Sequence, residues 1–338
     1  MPQTAAAGQT MIHSDRPHVT RLAPSPTGAL HLGNARTFLA NWLLARQEGW
    51  TILLRIEDLD GPRIKRGADK QAIEDLKWLG IDWDQGPIYQ STRKAKYDLA
   101  IDRLITQGAA YSCICSRRDA RLAAAAPHED DSAQDQGPAV YPGTCRGRFA
   151  SIADAAQSAG HPPAIRFRVP PGLVEFEDRF AGHVQIDAAR ELGDFVIRKA
   201  DGTAAYQLAV VVDDAEAKVT QVVRGSDLLL STPWQILLYD ALDLAADRPQ
   251  YTHLPLVVGP DGRRLAKRHG DTRLSHYRDR GVPASRMIAL LARWLGIESS
   301  NPQKAADLLG RFDLTRVPRA PIIADEHTEH FLLHGAAA

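Results

Sequence analysis

Cysteine is scarce, three in 338 residues, and so small and odd a set builds no disulfide framework. Net charge is absent as well. Forty-one basic residues cancel 41 acidic ones, so no global field draws the chain onto nucleic acid or membrane, and any RNA contact has to be regional. No run of about 20 apolar residues occurs, and the first 17 residues lack the charged-then-apolar order of a signal peptide. A cytoplasmic protein without a membrane partner is expected. Internal repeats and a nucleophilic triad are missing too. What is present is 44% apolar residues, enough for a sizeable core spread over roughly two domains of about 150 residues each.

Residues 1–17 are rich in Ala and Gln without periodicity, the pattern of a flexible tail. "HVTRLAP" (His18 to Pro24) alternates and then stops at prolines, predicting a strand and a turn. A helix is predicted to open near Gly33, with Phe38, Leu39, Trp42, Leu43 and Ala45 on one stripe and Gly49 as its end. "TILLRIEDLD" (Thr51 to Asp60) predicts a buried strand, completing a βαβ unit. Helices are predicted over 69–80 and 93–107, short strands over 164–187, and buried strands for "YQLAVVVDD" (Tyr206 to Asp214) and "VTQVVRG" (Val219 to Gly225) returning to the first sheet. "AAAAPHEDDSAQDQGPA" (Ala123 to Ala139) reads as a solvated loop. "TPWQILLYDAL", with Pro233 in its first turn, and "ASRMIALLARWLGI", with Met287, Ile288, Leu291 and Leu295 on one face, predict helices. Residues 300–338 carry no clear signal.

"GALHLGNART" (Gly28 to Thr37) places two glycines, a histidine and an asparagine where a strand hands over to a helix. A helix start offers unpaired N–H groups and a dipole that favours anions, and glycine admits close approach, so Gly33 and Asn34 suit a phosphate and His31 adds a donor. A second cluster, "GRRLAKRHGD" (Gly262 to Asp271), is a glycine-bounded basic loop in which Lys267 can neutralise charge developing on a triphosphate. Alone, either stretch is an ordinary turn or a solvated charged face. Three soft ligands, Cys113, Cys115 and Cys145, want a fourth for a tetrahedral metal site, with Tyr141 and His128 as rivals and three reduced core cysteines as the plain alternative.

The two clusters, in this order, resemble the two signature motifs of class I aminoacyl-tRNA synthetases. "HLGN" is similar to the His-x-Gly-His element with Asn34 in the last place, and "RLAKR" to the Lys-Met-Ser-Lys-Ser element with Lys267 in the second lysine slot and Ala266 in place of the serine. "RLAPSPTGALHLGNART", "LLRIEDLD", "AYQLAVVVDD", "VVRGSDLL" and "YTHLPLV" narrow the resemblance to glutamyl-tRNA synthetases, over about Val19 to His276. It implies an α/β protein: a Rossmann-like nucleotide-binding catalytic domain with a parallel sheet (18–108 and 191–258), an inserted zinc-containing subdomain (109–190), and a lysine loop with a short helical C-terminal region (259–338).

The resemblance implies His31, Gly33, Asn34 and Lys267 for ATP and catalysis, and Arg21, Leu22, Ala23, Pro24, Ser25, Glu57, Tyr206 and Arg224 for L-glutamate. That chemistry fits. Two carboxylates call for cationic forks and one ammonium for an anion, so Arg21 and Arg224 are carboxylate partners in either order and Glu57 holds the ammonium. Glutamine is disfavoured, because two arginines beside a neutral amide leave charge unpaired. Activation needs no enzyme nucleophile: the substrate carboxylate attacks the α-phosphorus of ATP, with Mg2+ on the phosphates.

"YSCICSRRD" followed by "YPGTC" resembles the pattern of glutamyl-queuosine tRNA(Asp) synthetases, which implies structural Zn2+ on Cys113, Cys115, Tyr141 and Cys145. Only residues 268–338 follow Lys267, too few for the anticodon-reading domains of a full glutamyl-tRNA synthetase. The expected activity is therefore tRNA-independent activation of glutamate and transfer to queuosine in the anticodon of tRNA(Asp), by a monomer. The alternatives are a truncated glutamyl-tRNA synthetase acting on tRNA(Glu) and a non-catalytic binder of glutamate or RNA. Arg117, Arg118, Arg146 and Arg148 are either RNA-phosphate contacts or solvated surface.

Overall fold

The computed structural model describes residues 17–116, 118–119, 140–265, 270–298 and 304–335. The tail up to residue 16, Arg117, His128 with the loop Ala123 to Ala139, and Ala266 with Lys267 lie outside the described residues. The chain begins with the expected parallel unit of β1 (Val19–Leu22), α1 (Leu32–Glu48) and β2 (Thr51–Ile56), to which β3 (Gln85–Tyr89) adds in parallel. β2 is buried on both faces after its first residue, the reason its sequence is a continuous apolar run. Helix α1 starts at a capping box built by His31 and Asn34 and ends where Gly49 turns left-handed at φ 70°. α2 (Ala68–Trp78) and α3 (Lys94–Thr106) follow as the periodicity predicts.

β4 (Ala110–Cys113) leads past the cysteines and α4 (Ile152–Ala159) to β5 (Ala164–Phe167), and these strands form an antiparallel sheet with β8 (Phe195–Arg198). The hairpin β6 (Leu173–Asp178) and β7 (Gly182–Asp187) belongs elsewhere. Its strand β6 runs parallel to β10 (Gln250–Leu254), which pairs in parallel with β9 (Gln221–Gly225), giving the order β7-β6-β10-β9. β9 lies beside the first sheet through one backbone bond, Thr220 N–H to Val19 O at 2.9 Å. A parallel sheet and a mixed one, parallel except for β7, thus meet along β1 and β9. No described helix is long and apolar enough to cross a membrane.

Two expectations are overturned. The strand expected over Val219 to Gly225 joins the second sheet and only abuts the first, because its ladder partner is β10. Tyr206 to Asp214 forms no strand but most of helix α5 (Tyr206–Glu216). The run Val210-Val211-Val212 favours a strand locally, yet Leu208, Ala209, Val210, Val211, Asp213, Asp214 and Ala215 are all buried in the helix. Burial on almost every side erases the alternation that separates helix from strand. α6 (Thr232–Ala241), α7 (Leu274–Asp279) and α8 (Ala284–Trp294) complete the middle, and Met287, Ile288 and Leu291 enter the same core as α1. The unread C-terminal stretch holds β12 (Ile322–Ile323), paired with β11 (Val257–Val258), and α9 (Glu326–His334).

Candidate functional site

The carboxyl ends of β1, β2, β9 and β10 and the start of α1 surround one cavity, where open parallel sheets place their ligands. Arg21, Ala23, His31, Gly33, Asn34, Glu57, Tyr206 and Arg224 line it, together with Asp227, Leu256, Val257 and Arg264. Eight of the sequence-predicted positions are therefore brought together. Leu22 is not among them; its side chain is fully buried in the core. Pro24 is buried, and its carbonyl accepts the Glu57 N–H at 3.0 Å, while Ser25 is exposed.

Buried ion pairs fix the amino-acid side of the cavity. Helix α1 reaches back through Asn41, which donates to the Arg21 carbonyl at 2.9 Å and accepts from the Thr20 hydroxyl at 2.9 Å. Arg21 Nε lies 3.5 Å from Asp214 Oδ2, and Arg55 binds both Asp214 Oδ1 and Glu57 Oε1, the latter at 3.0 Å. Burial pushes the Glu57 carboxyl up, against the pull of Arg55 and Arg21. Arg224 donates from Nε to His253 at 2.9 Å and from Nη2 to Thr232 Oγ1 at 2.8 Å, while its buried Nη1 has no partner. A buried guanidinium N–H left over beside a cavity suits an anionic ligand. Tyr206 opens α5 and meets the same space, its phenol raised by burial.

The phosphate side differs in detail from the expectation. The N–H groups of Leu32 and Gly33 are already spent, on Thr272 O at 3.1 Å and on His31 Nδ1 at 3.2 Å. Because Nδ1 accepts, the imidazole proton sits on Nε2, and burial, aided by nearby Arg264, lowers the group to about 4. His31 is a neutral donor at pH 7. A Cβ on Gly33 meets His31 Cε1 at 3.1 Å before anything else, so glycine here protects the imidazole's position. The chain on either side of Lys267 is anchored to this wall: Val258 bridges Arg264, Leu265 is buried, and Leu274 N–H binds Leu30 O at 2.8 Å.

The cysteines form a second centre. The sulfurs of Cys113, Cys115 and Cys145 lie within 4.8 Å of one another, and the Tyr141 hydroxyl is 3.4 Å from Cys113 Sγ and 3.5 Å from Cys115 Sγ. No disulfide joins them. Tetrahedral zinc with ~2.3 Å sulfur bonds separates its ligand sulfurs by about 3.8 Å, and Cys115 and Cys145 stand 3.5 Å apart. The donor set fits a metal ion. Arg166 lies over the Tyr141 ring, 3.8 Å from its centre, and donates to Cys113 Sγ at 3.3 Å, so a cation flanks the thiol and phenol donors. Arg146, a candidate RNA contact, is forked onto buried Asp194 instead, whereas Arg118 and Arg148 remain exposed.

Comparison with known proteins shows the family. The model of the class I tRNA synthetase (E and Q) catalytic domain matches residues 18–321. A glutamyl-Q tRNA(Asp) synthetase from Rhodopirellula baltica is 47% identical over 91% of this chain and 97% of its own length. A glutamate-tRNA ligase 2 from Koribacter versatilis is 40% identical over 90% of this chain but 63% of its own. Among solved structures, a glutamate tRNA ligase from Elizabethkingia meningosepticum in complex with its amino acid superposes with a TM-score of 0.77 at 27% identity, covering 94% of this chain and 69% of that one.

Proposed function

The chain belongs to the class I tRNA synthetases for glutamate and glutamine, a family of aminoacyl-tRNA synthetase-type ligases, and we propose that it activates L-glutamate with ATP and transfers it to queuosine in tRNA(Asp). The near end-to-end match with a glutamyl-Q tRNA(Asp) synthetase carries this reading. Activation proceeds without tRNA. One glutamate carboxylate oxygen attacks the α-phosphorus, pyrophosphate leaves, and the adenylate's carbonyl is then attacked by a hydroxyl of the queuosine cyclopentenediol, releasing AMP.

Each step asks for positioning and charge stabilisation. Arg21 and Arg224 hold the two carboxylates, Glu57 takes the ammonium, and Tyr206 completes the hydrogen bonds. Glutamine would turn an amide N–H2 toward a guanidinium, donor against donor, which a site built for an acceptor rejects strongly. His31 donates from Nε2 to a phosphate oxygen, while Lys267 neutralises the departing pyrophosphate. Magnesium, bound with ATP, supplies further charge on the phosphates. Zinc on Cys113, Cys115, Cys145 and Tyr141 is structural, tying the end of β4 to the segment ahead of α4.

The deciding experiment offers labelled glutamate and ATP to tRNA(Asp) with queuosine, tRNA(Asp) without it, and tRNA(Glu). Label on the first alone is expected. Label on tRNA(Glu) instead makes the protein a protein-synthesis ligase, the activity its 40%-identical relatives are named for.

A further inference from the structure

Behind Arg224 lies a polar chain that neither touches the cavity nor contributes apolar packing. His253 and Asp178 are both fully buried at their side chains. Asp178 ends β6, in a hairpin that follows the cysteine region, and its carboxylate both caps its own turn and reaches across to β10. Oδ1 accepts three backbone N–H groups, from Phe180 at 2.9 Å, Ala181 at 2.7 Å and His253 at 3.1 Å. Oδ2 is left for His253 Nδ1 at 2.6 Å. A carboxylate only accepts, so Nδ1 carries the imidazole proton and Nε2 presents a lone pair. That lone pair receives Arg224 Nε–H at 2.9 Å. Thr232 Oγ1 closes the ring by accepting from Arg224 Nη2 at 2.8 Å and standing 3.3 Å from His253 Nε2. Tyr251 stacks on the imidazole at 6.0 Å and lies under the Arg224 guanidinium at 5.3 Å.

We propose that Asp178 and His253 are positioning residues for glutamate recognition, a directional hydrogen-bond relay that fixes the Arg224 guanidinium with Nη1 free for a substrate carboxylate. Each link from Asp178 through His253 to Arg224 joins a donor to an acceptor, and the direction is set at Asp178. The order Asp178, His253, Arg224 leaves the arginine one rotational setting, with Nε and Nη2 engaged and Nη1 unpartnered. A neutral imidazole is what this requires, and burial with Arg224 alongside lowers the His253 titration against the pull of Asp178. An arginine held in place before binding loses less freedom when the ligand arrives.

Asp178→Asn reverses the direction while keeping the shape. The asparagine oxygen stays with the three backbone donors, its N–H2 faces His253 Nδ1, and the imidazole proton moves to Nε2 against Arg224 Nε–H. Glutamate-dependent ATP–pyrophosphate exchange reads the result. The KM for glutamate is expected to rise roughly tenfold to a hundredfold, the scale of one lost charge-assisted hydrogen bond, with the KM for ATP and kcat held within about threefold. A second pair covers the case in which this variant does not fold. His253→Gln keeps an acceptor for Arg224 and a donor for Asp178, whereas His253→Leu keeps neither, so Leu should raise the glutamate KM well above Gln.

The proposal rests on Arg224 binding glutamate. Wild-type protein without glutamate-dependent exchange, or an unchanged glutamate KM in Arg224→Lys, overturns that premise. Active wild type with an unaltered glutamate KM in a folded Asp178→Asn protein overturns the relay alone. Equal glutamate KM values in the Gln and Leu variants do the same, as does a parallel rise in both substrates' KM.

Discussion

The cavity beside β1 and β9 and the cysteine cluster set opposite problems. In the cavity the protein supplies its own counter-charges: Asp214 holds Arg21 and Arg55, Glu57 holds Arg55, and Arg224, which lines the space, keeps Nη1 without a partner. In the cluster three sulfurs and a phenol crowd one another, and burial pushes the Cys115 thiol up to about 11, so a cation that completed the set would displace protons. The proposed function gives one centre an anion that comes and goes and the other a cation that stays. Cavity substitutions should therefore move kinetics, and cluster substitutions should move stability.

The sharpest break of that contrast is Arg224→Gln. Removing the cation with the unpartnered nitrogen is expected to cut kcat/KM for glutamate by at least about a hundredfold in pyrophosphate exchange. Thermal melting should change little. Gly33→Val comes next: its Cβ presses on the His31 ring, and misplacing a phosphate donor by about an ångström is expected to slow activation up to about a hundredfold at saturating substrates. Normal activation by that variant would remove His31 from the reaction. In the cluster, Cys145→Ser should release zinc, as read by metal analysis, and lower the melting temperature, with the glutamate KM within about twofold of wild type. A matching rise in KM would join the two centres functionally.

The smallest effect concerns pH. His31 titrates at about 4 in the folded chain against an ordinary 6.5, so the unfolded chain holds the extra proton between those values. His31 contributes stability that is full above about pH 6.5 and drains as the pH falls to about 4. Urea unfolding compared near pH 7 and pH 5 should show a smaller acid loss for His31→Gln than for wild type. Equal losses would contradict the buried neutral imidazole.

Helix α1, which opens on the cavity, was legible because its signals are local. Periodicity, a histidine before the first helical turn and Gly49 after the last delimit α1 within a residue. The amino-acid side was half legible: Arg21, Glu57, Tyr206 and Arg224 stood out by resemblance, but Arg55, Asp178, Asp214 and His253 did not. Their partners lie far along the chain, 75 residues apart for Asp178 and His253 and 193 for Arg21 and Asp214, and no periodicity encodes such pairs. A signal was available, since charged or polar residues inside apolar runs, as in "LLRIED", "AVVVDD" and "YTHLPL", need buried partners. Reading Tyr206 to Asp214 as a strand hid it, because alternation would send Asp213 and Asp214 to opposite faces. In the helix, Asp214 pairs with Arg21 and Arg55 while Asp213 takes Gln90, Arg93 and Tyr97. The two-residue strand β12 was invisible for a plainer reason: two residues have no period.

The seam between β1 and β9 also sets a timetable. Arg21 is made early on the ribosome, but Asp214, Arg224 and His253 follow it by about two hundred residues, and Asp178 waits for the last of them. Contacts of such separation bear the full cost of closing long loops before they return any energy. A nascent chain that stops before β10 already pairs Arg21 and Arg55 with Asp214 but holds Arg224 and Asp178 without His253, so on the proposed reading the capacity to bind glutamate is acquired only once β10 has been made.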